Sequence, residues 1–247
     1  MLIHRLKLLA MTLLWATLAP CIAQEIEEIS LQPFNKIVLG PHIDLELVQG
    51  PKEKASLAYR RIDREDIHLD VDGNTLRIYL DGARISSKDN QYSNNPKKSK
   101  YAYSNVKATV TYNALKKLKV RGDDEVVCMS DLSGDRFKLR LFGENEVRLA
   151  SVTTDKFVAS LFGENDLEID KGSVDKGKYK FFGDNEVDAI GLTSNYARAK
   201  SFGESEFRLN VDDLLRVSSF GESSFRFIGD AEVSRGFMFG DNEVYRR

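Results

Sequence analysis

Between residues 137 and 209 the chain alternates apolar and polar side chains with a period of two, breaks, and starts again. Phe137, Leu139 and Leu141 are separated by Lys138 and Arg140, and Phe157, Ala159 and Leu161 by Val158 and Ser160. After a short polar break the alternation resumes with Val147 and Leu149, with Leu167 and Ile169, and with Phe207 and Leu209. Period two on both sides of a break predicts strand, turn, strand, with one set of alternate residues facing a core. The break itself recurs. It reads LFGENEV from Leu141, LFGENDL from Leu161, FFGDNEV from Phe181, SFGESEF from Ser201, SFGESSF from Ser219 and MFGDNEV from Met238, after a looser first copy, VRGDDEV, from Val120. Its glycines stand at 122, 143, 163, 183, 203, 221 and 240. A β-rich period near twenty residues marks a solenoid, in which each repeat buries its apolar face only against its neighbours.

Two strands per repeat, with the next repeat displaced by one strand spacing of about 4.8 Å, describe an all-β parallel β-helix. The glycine spacing sets about 20 residues per coil. A second turn in each coil is expected in the spacers TTDK at 153–156, KGSVDKG at 171–177 and GLTSN at 191–195. An antiparallel sandwich of short strands is the alternative, and the near-constant register of one motif favours the solenoid. In the motif, Gly143 and its equivalents lack a Cβ and suit a positive φ. Asn145, Asn165, Asn185 and Asn242 are read as a second left-handed position, which Ser205 and Ser223 break. Stacked in register, the asparagines would also form a hydrogen-bonded ladder.

These residues resemble the autotransporter-adhesin head family, whose module is called the GIN domain. FNKIVLGPHIDLELVQG from Phe34, DVDGNTLRIYL from Asp70 and ATVTYNALKKLKVRGDDEV from Ala108 look like that domain's beginning. The family's corner reads like S-G-S-G-D-I, and Phe142-Gly143-Glu144-Asn145-Glu146-Val147 maps onto it, with asparagine in place of the second glycine and phenylalanine in place of the serine. The resemblance covers most of the chain. It implies an exported right-handed parallel β-helix of a bacterial envelope, without an established biochemical activity and with adhesion as the family's label.

The N-terminus agrees with export. A basic stretch with His4, Arg5 and Lys7 precedes the apolar run LLAMTLLWATLA and then PCIAQ, which is the layout of a signal peptide at residues 1–23 with cleavage after Ala23. A lipoprotein signal with lipidation of Cys21 is the rival reading, disfavoured by Pro20 directly before it. The remaining residues, 24–247, are expected to form one β-solenoid domain with a polar loop at 86–100. Without the first 23 residues, 34 Lys and Arg stand against 38 Asp and Glu, a balance that suggests no nucleic-acid partner. Cys128 then stands alone and is read as a small buried core residue. The expected location is the periplasm, the outer-membrane surface or the extracellular space.

No catalytic, cofactor-binding or metal-ligating residue stands out. His42 and His68 have no metal-site spacing and read as surface histidines. Some parallel β-helices cleave polysaccharides, so a polysaccharide-active enzyme is the alternative function. The acids here repeat at every corner, however, and no unique acid/base pair is singled out. The chain is therefore read as a structural or binding module, not an enzyme, with a surface polymer or a protein as partner. Arg121-Gly122-Asp123 spells a cell-attachment triplet but falls on the first corner. Lys88, Lys97, Lys98 and Lys100 of the polar loop read as solvated charges.

Two outward columns carry the remaining chemistry. Phe142, Phe162, Phe182, Phe202, Phe220 and Phe239 form a column that is expected to turn inward, since six exposed rings would make a large apolar patch; the other reading is a binding or self-association surface. Glu144, Glu164, Asp184, Glu204, Glu222 and Asp241 stack into one acidic column, and Glu146, Asp166, Glu186, Glu206 and Glu243 into a second. Lys138, Arg140, Lys178, Lys180, Arg198, Lys200 and Arg216 on the preceding strands are expected to neutralise them, a reading favoured over calcium binding by the oxygen ligands.

Overall fold

A computed structural model describes residues 26–83, 100–101 and 103–247. The expected signal segment, with Cys21 and the cleavage after Ala23, and the polar loop apart from Lys100 lie outside the described residues. The described residues form twelve strands: β1 (Ile26–Ser30), β2 (Lys36–Leu39), β3 (Asp44–Gln49), β4 (Lys54–Arg60), β5 (Ile67–Asp72), β6 (Thr75–Leu80), β7 (Asn105–Tyr112), β8 (Lys117–Gly122), β9 (Glu125–Ile169), β10 (Gly172–Ile228), β11 (Glu232–Phe239) and β12 (Asn242–Arg246). Among the described residues the only helical turn is a 3-10 turn at Arg64–Asp66. The strands join in one curled, mixed sheet.

From β8 onward the pairing is parallel and follows the repeat. Gly143 lies beside Gly122, Gly183 beside Gly163, and Phe239 beside Phe220. The chain does not leave the ladder at the corner, as strand, turn, strand would require. Phe182, Gly183, Asp184 and Asn185 pair one by one with Phe162, Gly163, Glu164 and Asn165, so β9 and β10 run through several corners as single long, bent strands. The bend comes from the glycine. Gly183 has φ 105°, and a Cβ there would sit 2.4 Å from the carbonyl oxygen of Gly163. The position thus excludes any other residue twice, by conformation and by the approach of the coil beside it.

The asparagines do not share that conformation. The only non-glycine residues with positive φ among those described are His42 and Arg61. Asn145, Asn165 and Asn185 are extended, turn inward and are buried, and their side chains form the expected ladder: Asn145 Nδ2 donates to Asn165 Oδ1 at 2.8 Å, and Asn165 Nδ2 to Asn185 Oδ1 at 3.0 Å. Buried amides are costly unless bonded, so the ladder, and not backbone freedom, selects asparagine. Ser205 and Ser223 solve the same problem differently. Ser201 Oγ donates to Ser205 Oγ at 2.9 Å and Ser219 Oγ to Ser223 Oγ at 3.0 Å, within one corner. The two repeats with serine in place of the asparagine are the two that begin with serine, SFGES.

The alternating apolar residues fill the interior as their period requires. Phe137, Leu139, Leu141, Phe157, Leu161, Val147, Leu149 and Phe207 are all buried. Inside, Phe181, Phe207 and Phe225 stack with ring centres 4.3 and 4.7 Å apart. The N-terminal part departs from a simple repeat. β2 lies between β6 and β8, and β3 between β7 and β9, so the later strands β6 and β7 are stacked outside the earlier ones. β4 then pairs antiparallel with β7 and with β1, and β5 antiparallel with β6, closing that end of the stack with paired strands.

Candidate functional site

Because side chains alternate across a strand, most coils present Lys or Arg, then Phe, then Asp or Glu on the outer face, while the coil of Phe162 has Val158 and Ser160 at the basic positions. In the coil of Phe182 these are Lys178, Lys180, Phe182, Asp184 and Glu186. The phenylalanines are not turned inward. Phe142, Phe162, Phe182 and Phe202 stack with ring centres 4.8, 4.9 and 5.0 Å apart and planes within 4° of parallel, and Phe220 stacks on Phe239 at 5.0 Å. Within each of these two stacks a ring hides a face on the ring of the neighbouring coil. Exposure rises along the column, from 37% at Phe182 to 58% at Phe239. In-register stacking is what makes the outward column tolerable, since aromatic pairs gain from contact in addition to area.

The column starts on Arg121, whose guanidinium lies 4.6 Å from the centre of the Phe142 ring. The Arg-Gly-Asp triplet is therefore a paired corner with its arginine stacked, not a free attachment loop.

The acidic columns flank a groove of about 740 Å³ on the other side of the rings, lined by Glu144, Glu164, Asp184, Glu222 and the edges of the asparagine ladder. Their expected neutralisation comes from elsewhere. Arg208 pairs with Glu186 at 2.8 Å and with Asp188 at 3.2 Å, and Arg226 pairs with Glu206 at 2.9 Å, so the cations come from the strand after the corner. Among the described residues no ion pair joins Lys138, Arg140, Lys178, Lys180, Arg198, Lys200 or Arg216 to any acid, nor is there one on the column of Glu144, Glu164, Asp184 and Glu204. Four residues of extended chain, about 13 Å, separate the basic and acidic positions of one coil, with the phenylalanine between them. The basic column repels itself: burial first, then Lys180, Arg198 and their neighbours hold Lys178 below the ordinary lysine range. Among the described residues no three His, Cys, Asp or Glu side chains converge as a metal site.

A family model described as "putative auto-transporter adhesin, head GIN domain" matches residues 33–231. The chain belongs to this family. Solved structures share the fold at low identity. A putative adhesin from Bacteroides fragilis is 18% identical with a TM-score of 0.76, over 92% of this chain and 99% of that one. A putative adhesin from Parabacteroides merdae is 17% identical with a TM-score of 0.67, over 90% and 95%. A protein from Parabacteroides distasonis named as a putative lipid binding protein is 18% identical with a TM-score of 0.65, over 90% and 96%. No curated protein matches the chain.

In this GIN domain the histidines and the cysteine stay apart from the striped face. His68 stacks on Tyr79 at 4.9 Å, and His42 takes a positive φ in the turn before β3. Cys128 is buried with its Sγ 3.6 Å from Tyr112 Oη, and burial pushes the thiol above its usual range, as a core residue requires. Lys100, at the end of the polar loop, pairs with Asp66 at 2.8 Å.

One buried group escaped the sequence reading. Asp124 stands two residues after Gly122, the place that asparagine holds in later corners, and is 4% exposed. Its Oδ1 accepts from the Ile43 N–H at 3.0 Å, while its Oδ2 has no partner. Asn145 Oδ1, at the equivalent place in the next coil, has none either. Burial pushes the Asp124 carboxyl up to about 8, which favours its protonated form. The signal was in the sequence, as the aspartate of VRGDDEV aligned with the asparagine of LFGENEV.

Proposed function

We propose that this GIN-domain chain is an exported, non-enzymatic binding module of a bacterial cell envelope, adhesin-like in use. In this reading residues 1–23 are removed and residues 24–247 wind as one right-handed parallel β-helix that carries its chemistry on the outside. The observation that carries the proposal is the striped face: basic, phenylalanine and acidic positions repeat from coil to coil beside an open groove. Catalysis gathers unlike groups once around a reacting atom, whereas adhesion uses like groups many times along a surface. The family and the names of its solved relatives support an adhesive role over a catalytic one.

The test is to express the full chain with a C-terminal tag in a Gram-negative host, fractionate the cells, and sequence the N-terminus of the recovered protein. The expected result is an envelope or extracellular protein that begins at Gln24 and co-purifies with a surface polymer or protein. An unprocessed cytoplasmic protein would contradict the export reading, and turnover of envelope polysaccharide would contradict the binding reading.

A further inference from the structure

We propose that the partner of the striped face is a second copy of this chain, docked face to face and parallel, with the twofold axis running along the stack of coils. The inference rests on the reading of this face as a binding surface and adds what it binds.

The first ground is charge. Across the face a basic column lies on one side of the phenylalanines and an acidic column on the other. Among the described residues the basic column and the Glu144, Glu164, Asp184 and Glu204 column form no ion pairs, although each is crowded with like charges. A twofold axis parallel to the stack carries each side of the face onto the opposite side of the partner. Lys180 and Lys200 of one copy then meet Asp184 and Glu204 of the other, twice over, as an isologous interface demands. A twofold axis across the stack would set the basic column against its own copy, so the charge pattern selects the parallel arrangement.

The second ground is the apolar column that these charges flank. Phe182, Phe202, Phe220 and Phe239 remain 37, 47, 51 and 58% exposed. At about 200 Å² per aromatic side chain they leave roughly 400 Å² of apolar surface, the size at which patches on monomers become interaction sites. With the charged columns on both sides, such a face approaches the ~800 Å² per partner of a specific interface. An apolar centre with a charged rim is also the usual anatomy of one.

The experiment is sedimentation equilibrium on the exported, processed protein and on two charge variants, each checked by circular dichroism for an intact fold. Lys180→Glu with Lys200→Glu sets acids against the partner's Asp184 and Glu204, and Asp184→Lys with Glu204→Lys sets lysines against the partner's Lys180 and Lys200. The expected result is a wild-type dimer that weakens with added salt, two variants that stay monomeric, and a heterodimer when the two variants are mixed. A wild-type protein that remains monomeric at the highest soluble concentration would overturn the proposal, as would variants that dimerise like the wild type or a mixture that stays monomeric. Envelope export is read separately, so a processed and exported but monomeric protein sinks this inference and leaves the binding-module reading standing.

Discussion

Replacing Asn165 by alanine tests whether the ladder is why the corner repeats. Asn165 is 2% exposed and is the only asparagine here bonded on both sides, accepting from Asn145 Nδ2 and donating to Asn185 Oδ1. The substitution leaves one buried donor and one buried acceptor without partners, at about 1–3 kcal/mol each, and opens a small void. The expected loss is therefore about 2–5 kcal/mol. For a chain of this size each kcal/mol shifts the melting temperature by ~2–4 °C, so a fall of roughly 5–15 °C should appear in thermal unfolding followed by circular dichroism. Glu164→Gln, one residue away and exposed, is the control and should move it by no more than about 0.5 kcal/mol. Asn165→Asp adds a signature: it lacks the donor when ionised and regains one when protonated, so its deficit should shrink as the pH is lowered. Equal shifts for Asn165→Ala and Glu164→Gln would refute the ladder as the reason for the asparagines.

Gly183→Val should destabilise more than Asn165→Ala, because it adds backbone strain at positive φ to a Cβ clash with the Gly163 carbonyl; a melting temperature near that of wild type would contradict the close approach. Asp124 has a folded pKa raised from 3.8 to about 8, so its contribution is most favourable below the unfolded value and is lost as the pH rises toward 8. Asp124→Asn, which replaces the titrating carboxyl by a neutral amide, should flatten that fall in denaturant titrations between the two pH values, by up to about 1.4 kcal/mol per pH unit. Ser201→Leu combined with Ser205→Asn should extend the ladder to the unpartnered Asn185 Nδ2 and exceed the sum of the single changes by about 1 kcal/mol, since each single change strands the other serine's hydroxyl.

Much of this was legible in the sequence. The period-two alternation placed Phe137, Leu139, Leu141 and their successors in the core, the glycine spacing gave the parallel register, and the glycines do take positive φ. What escaped depends on relations between coils that periodicity does not encode. The asparagines were given the wrong backbone conformation because a ladder and a left-handed turn select the same residue type. The phenylalanines read as turned inward because six exposed rings would make a large apolar patch, and only stacking between neighbouring coils hides enough of them. Glu186 and Glu206 of the second acidic column find their cations, Arg208 and Arg226, on the following strand, because the intervening phenylalanine holds the preceding ones out of reach. Stacking β6 and β7 outside β2 and β3, with antiparallel strands beyond them, is a choice among non-consecutive partners that a local pattern leaves open.

The most direct test of the striped face separates binding from stability in one pair of substitutions, Phe182→Ser with Phe202→Ser. As a half-exposed stack the two rings gain about 0.5–1.5 kcal/mol per pair beyond the area they cover, so their truncation costs less than the ~3–5 kcal/mol each of core phenylalanines. The measurement is the dissociation constant of the exported protein for its own copies, taken beside its melting temperature. The expected result is a melting temperature lowered by only a few degrees and an affinity weakened about tenfold or more. A collapse of the melting temperature with affinity unchanged among the folded molecules would place the rings in the core and remove the face from the protein's function.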